Sequence, residues 1–117
     1  MRAVVLVSAV ALLLTAGVQA ATPRGTLAGI VTRGPITPVC AIEQPCDEPA
    51  ANVTLMFSRD DTVVGRAVTD SHGRYRLRLP GGAYVVRRTM GKVEPNRARV
   101  YAGRVTRVDF SIDTGIR

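Results

Sequence analysis

The sequence predicts an all-β domain, seven strands folded as an antiparallel two-sheet sandwich. Three observations carry this expectation. From Gly25 onward no segment repeats its apolar residues at helical spacing. Short runs rich in Val, Ile, Leu and Thr alternate instead with clusters of Gly, Pro and Asp. Two of these runs show strict period-two alternation: Tyr75, Leu77 and Leu79 against Arg74, Arg76 and Arg78, and Val108, Phe110 and Ile112 against Arg107, Asp109, Ser111 and Asp113. Such alternation puts one face in a core and the other in water.

Strands are expected over 26–32, 52–59, 62–69, 74–79, 83–89, 97–101 and 104–113. The reversals between them are marked by Arg59-Asp60-Asp61-Thr62, Asp70-Ser71-His72-Gly73, Pro80-Gly81-Gly82 and Ala102-Gly103. Asp opens turns by bonding to the backbone ahead of it, and Gly accepts positive φ. Reversals this short favour antiparallel neighbours over crossover helices. The alternation predicts a core of Tyr75, Leu77, Leu79, Tyr84, Val86, Val108, Phe110 and Ile112.

The chain of 117 residues has room for one such core. Hydrophobic residues at 46% exclude a disordered tail. Its start reads differently from the rest. A basic Met1-Arg2 precedes an uncharged apolar run over 3–15, and small residues follow at Gly17, Val18 and Ala20. This predicts a secretory signal over 1–20, cut after Ala20, and a single domain over 21–117. The apolar run falls short of the ~20 residues that span a bilayer, and no integral membrane segment is expected after cleavage. The expected location is extracytoplasmic.

Basic residues number 16 against 9 acidic, a net charge of +7. That excess predicts attraction to anionic surfaces: an envelope or extracellular polymer, or an acidic protein. Export makes intracellular nucleic acid a poor partner.

The run Thr69-Asp70-x-x-Gly73-x-Tyr75-x-Leu77-x-Leu79-Pro80-x-Gly82-x-Tyr84-x-Val86 resembles the signature of carboxypeptidase regulatory-like domains. Pro49-x-Ala51-x-Val53-x-Leu55 is similar to that family's second strand, and Gly29-x-Val31 to its first. The resemblance implies a prealbumin-like (transthyretin-like) seven-stranded sandwich, a binding or structural module without catalytic residues of its own. Gly81 stands where the family commonly has a second Pro. The segment 33–48, between the first two strands, is far longer than a short member of the family needs. Long ordered loops tend to carry function, so a particular partner is sought there.

That segment holds Cys40 and Cys46, the only cysteines in the chain. In an exported protein two nearby cysteines usually pair, and a disulfide is expected. A metal site would need further ligands, and the one His, His72, lies in a remote turn. Neither a metal nor a cofactor is expected. His72 beside Asp70 and Ser71 has the residue types of a hydrolytic triad, but triad members converge from separate segments. A small transthyretin-like hydrolase is the weaker alternative, because the sites of such enzymes need several His and basic residues converging and this chain has one His, at a hairpin tip.

Arg74, Arg76 and Arg78 form a candidate anion-binding stripe, supported by Arg87, Arg88, Arg97, Arg99, Arg104 and Arg107. A solvated outer face is the simpler account, with arginine discouraging edge pairing and Asp109 or Glu94 offsetting the charge. Carbohydrate binding is the other alternative. It needs exposed aromatic platforms, and Tyr101 is the single candidate.

Overall fold

The structure, a computed structural model, describes residues 22–116; the expected leader over 1–20, with its cut after Ala20, lies outside them. Among the described residues there is no helix, and hence none long and apolar enough to cross a membrane. Nine strands follow in order: β1 (Arg24–Gly34), β2 (Glu48–Pro49), β3 (Thr54–Arg59), β4 (Thr62–Val68), β5 (Arg74–Pro80), β6 (Gly82–Arg88), β7 (Arg97–Val100), β8 (Val105–Arg107) and β9 (Phe110–Asp113).

They form a two-sheet sandwich. One sheet runs β4-β3-β6-β7. The other is built on β1, whose first half pairs with β5 on one edge and β8 on the other, and whose second half pairs with β2 and β9. The all-β sandwich is the expected fold, with three differences in how its strands are used.

The expected last strand over 104–113 is two strands, and both run parallel to β1 rather than antiparallel. Register explains the break. Ala28 faces Arg107 and Val31 faces Phe110, so Gly29 and Ile30 lie opposite Val108 and Asp109 without any slip. There the Ile30 N–H donates to the Asp109 carboxylate at 2.9 Å instead of to a backbone carbonyl. A Cβ on Gly29 would also run into the Val108 carbonyl. Glycine is what lets the two backbones approach.

The reversals also connect differently. Of the four short reversals only Arg59–Thr62 closes a hairpin of adjacent strands, β3 and β4, with Asp60 and Asp61 at φ 52° and 62°, the left-handed pair of a type I′ turn. The turns after β4, β5 and β7 carry the chain from one sheet to the other. Finally, the two-residue β2 closes the long loop against Thr32 and Arg33.

The core lies between the sheets. Leu27, Val31, Leu55, Phe57, Leu79, Tyr84, Val86 and Phe110 are essentially fully buried. Phe57, Tyr75 and Phe110 meet as a trio with ring centres 5.6–6.3 Å apart. Six of the eight expected core residues are buried; Leu77 and Val108 are only partly so, packed against the rim. Polar groups inside are satisfied, as burial requires. The buried Thr69 hydroxyl donates to the Ala50 carbonyl at 2.5 Å and accepts from the Val53 N–H at 2.9 Å. Tyr84 donates to the Pro80 carbonyl, and Arg59 lies 4.9 Å from its ring centre.

Candidate functional site

The outer face of the β1 sheet carries the arginine stripe. Strand alternation sends Tyr75 and Leu79 inward, so Arg74, Arg76 and Arg78 point to solvent, about 6.7 Å apart along the strand. Register sets their neighbours. Arg74 faces Ile30, Arg78 faces Thr26, and Arg76 faces Ala28, which on its other side faces Arg107. Beside them is an open groove of about 590 Å³, with Ala28 and Ile30 in its floor, Arg74, Arg76 and Arg107 around it and Val68 and Asp70 at its margin; Arg78 lies outside it.

The carboxylates near this face are already engaged. Asp70 accepts from the backbone N–H groups of His72 and Arg74 at 2.8 and 2.9 Å. The Arg74 N–H is the main cause of its lowered pKa. Asp109 accepts from the Ile30 N–H and pairs with Arg107 at 3.2 Å, which together hold its pKa below the ordinary carboxylate value. Glu94 lies elsewhere, bridging backbone to Ser111 of β9. The expected offsetting occurs in part: Asp109 pairs with Arg107, Glu94 is elsewhere, Asp70 lies within electrostatic reach of Arg74, and among the described residues no ion pair reaches Arg74, Arg76 or Arg78.

The supporting arginines divide. Only Arg107 shares the groove. Arg87, Arg97 and Arg99 stand on β6 and β7 of the other sheet, Arg88 bonds the Lys92 carbonyl, and Arg104 is in the turn before β8. Tyr101 is half exposed beside the start of β1, outside the groove. The floor residues Ala28 and Ile30 escaped the sequence because only strand register brings them under the arginines.

Cys40 and Cys46 form the expected disulfide, with Cα atoms 5.3 Å apart. The loop it closes is pinned at its base. The Ile36 N–H donates to the Cys46 carbonyl, and Thr114, just beyond β9, donates to the carbonyls of Gly34 and Pro35. Arg33 and Glu48 pair at 3.4 Å. At the tip Val39 is 80% exposed and Ile42 is wholly exposed. The peptide bonds before Pro35 and Pro95 are cis.

His72 sits at an exposed turn, 3.4 Å from the Ser71 hydroxyl. Asp70 spends a carboxylate oxygen on the backbone and no bond orients the imidazole through it. The three side chains are not assembled as a relay.

A sandwich of this topology, with an open basic face and a stapled loop, is a prealbumin-like module. The family model for the carboxypeptidase regulatory-like domain matches residues 41–113, and the chain belongs to that family. Among solved structures it is similar to the minor pilin of the Gram-positive pathogen Streptococcus agalactiae, at 15% identity and TM-score 0.53. It is similar also to the TIE protein of Bacillus anthracis, at 14% identity and TM-score 0.53. Each likeness covers 78% of this chain but only 44% and 16% of those proteins. A looser likeness, TM-score 0.48 and 22% identity, joins 78% of the chain to 91% of 5-hydroxyisourate hydrolase from Klebsiella pneumoniae. No curated protein matches the chain.

Proposed function

We propose that this domain is an extracytoplasmic, non-catalytic binding module whose arginine-walled groove receives an anionic partner. The observation that carries this is the cluster of Arg74, Arg76 and Arg107 around an apolar floor, with three basic groups there against Asp70 and Asp109. Like charges along one strand face repel, and a merely solvated face relieves that by interleaving carboxylates. Here the two carboxylates within reach, Asp70 and Asp109, lie beside Arg74 and Arg107, and among the described residues no ion pair is made by Arg76 or Arg78. Guanidinium groups favour carboxylate and phosphate ligands because their donors form a planar fork. The disulfide supports an oxidising compartment.

The test is titration with polyglutamate by calorimetry. Binding is expected to weaken steeply as salt rises towards about 0.15 M, where screening acts beyond ~8 Å. Arg74→Gln/Arg76→Gln/Arg78→Gln is expected to abolish it with the fold intact. Arg66→Gln/Arg87→Gln/Arg97→Gln, an equal charge loss on the other sheet, is expected to keep most of it. Equal loss in both variants would leave only a basic surface.

A further inference from the structure

The loop and the groove are opposites in chemistry. Between Gly34 and Ser58 the chain has no basic residue, but it has Glu43, Asp47 and Glu48. Ile42, wholly exposed at the loop tip, is followed directly by Glu43. The groove presents the converse balance, Ala28 and Ile30 below and three arginines around, Arg74, Arg76 and the Asp109-paired Arg107, against Asp70 at the margin. An exposed isoleucine gains by covering an apolar floor, and a carboxylate beside it gains a forked partner from arginine.

We propose that the disulfide-closed loop of one copy docks into the arginine-walled groove of a second copy. This rests on the groove being an anion-receiving site and adds its occupant. The loop does not serve its own groove. None of residues 35–47 lines that groove, and the loop is held at Thr114 beside β9 and, through β2, at Thr32 and Arg33. The disulfide and the bond from Ile36 to Cys46 set the loop's shape before it binds, which lowers the ordering cost of docking. Because loop and groove are different surfaces, the contact is heterologous: a joined pair keeps one free groove on one copy and one free loop on the other, and assembly continues into chains or closed rings. The net positive charge repels copies at long range. Salt near physiological strength confines that repulsion to ~8 Å and leaves the close contact in force.

Sedimentation velocity on the oxidised protein at that ionic strength tests this. The unaltered chain is expected to associate beyond dimers as concentration rises. Ile42→Ser/Glu43→Gln, which spoils only the loop, and Arg74→Gln/Arg76→Gln, which spoils only the groove, are each expected to weaken self-association by at least about tenfold. Mixed in equal amounts, the two variants are expected to form a heterodimer that stops at two, since one intact loop and one intact groove remain. A mixture that stays monomeric, or an unaltered chain that never associates, overturns the proposal. Polyglutamate separates the two ideas. If the unaltered chain binds it but does not self-associate, the occupant is wrong and the groove stands. If the groove variant binds it as well as the unaltered chain does, the groove itself is wrong.

Discussion

In the four-stranded sheet, β3 and β4 meet through the two-residue Asp60-Asp61 turn, and β6 returns to β7 through residues 89–96. In the β1 sheet, every rung to β8 and β9 joins residues 79 positions apart, and β5 arrives only after the whole of β3 and β4. No ladder of the first sheet spans more than 33 positions, whereas the β8 and β9 ladders of the second span 79. Closing a long loop costs little more than closing a short one, because the entropy grows with the logarithm of length. The distant sheet therefore need not be the weaker one. What it does need is a few points where side chain and backbone fit to fix its register, and Gly29, Tyr75 and Asp109 are those points.

The largest effect is expected where the sheets meet. Phe110→Ala removes a ring of the aromatic trio from β9 and is expected to cost about 3–5 kcal/mol in denaturant unfolding. Phe57→Ala, its counterpart in the hairpin sheet, should cost as much, because the two rings share one core. A large inequality between them would mean that the sheets unfold separately.

The glycines divide the sheets more sharply. A Cβ on Gly29 meets the Val108 backbone and, at 2.8 Å, the Asp109 carboxylate. Gly29→Ala is expected to cost about 1–3 kcal/mol and to expose the Ile30 amide to hydrogen exchange. On Gly65 of β4 the obstacle is the end of the Leu79 side chain, 2.6 Å away, which moves. Gly65→Ala should be near neutral, since lowering chain entropy recovers about 0.5–1 kcal/mol.

Two titrations act on the β1 sheet alone. Tyr75 donates to the Val108 carbonyl at 2.6 Å, and burial, with the Asp109 charge adding to it, raises its pKa. A phenol with a raised folded pKa gives stability that is complete below about pH 10 and lost as pH climbs from there towards the folded value. Thermal melts of Tyr75→Phe should lose that alkaline dependence. Asp109 is the reverse case. Its lowered pKa gives stability that is present above the ordinary value of 3.8 and lost as pH falls through the folded one. Asp109→Asn keeps an acceptor for the Ile30 N–H, so the smallest effect is expected: a shallower acid limb with little change at pH 7.

Period-two alternation made the inward and outward faces of β5 and β9 legible, and with them the arginine row and most of the core. Alternation fixes which face a residue takes, but not which strand lies beside it or in which direction. The parallel pairing of β8 and β9 with β1 was invisible for that reason, as was the division of Arg87, Arg97 and Arg99 from Arg74, Arg76 and Arg78. Turn residues announced reversals at Pro80-Gly81 and Ala102-Gly103, but a turn between sheets and a turn within one use the same residues. Asp109 looked like a solvated position in an alternating strand. Its carboxylate instead stands in for a backbone acceptor at the break between β8 and β9.

The span of β1 also sets an order of events for a chain delivered amino end first. β1 appears before any strand with which it makes a long ladder, and its β8–β9 edge stays bare until the last strands emerge. The β3–β4 hairpin forms as soon as it is free, but the sandwich does not close around it. A chain interrupted before Val105 keeps an open strand edge along β1, the kind of edge that pairs with strangers or is cut by proteases. The fold itself thus registers the arrival of β8 and β9, because only they conceal that edge of β1.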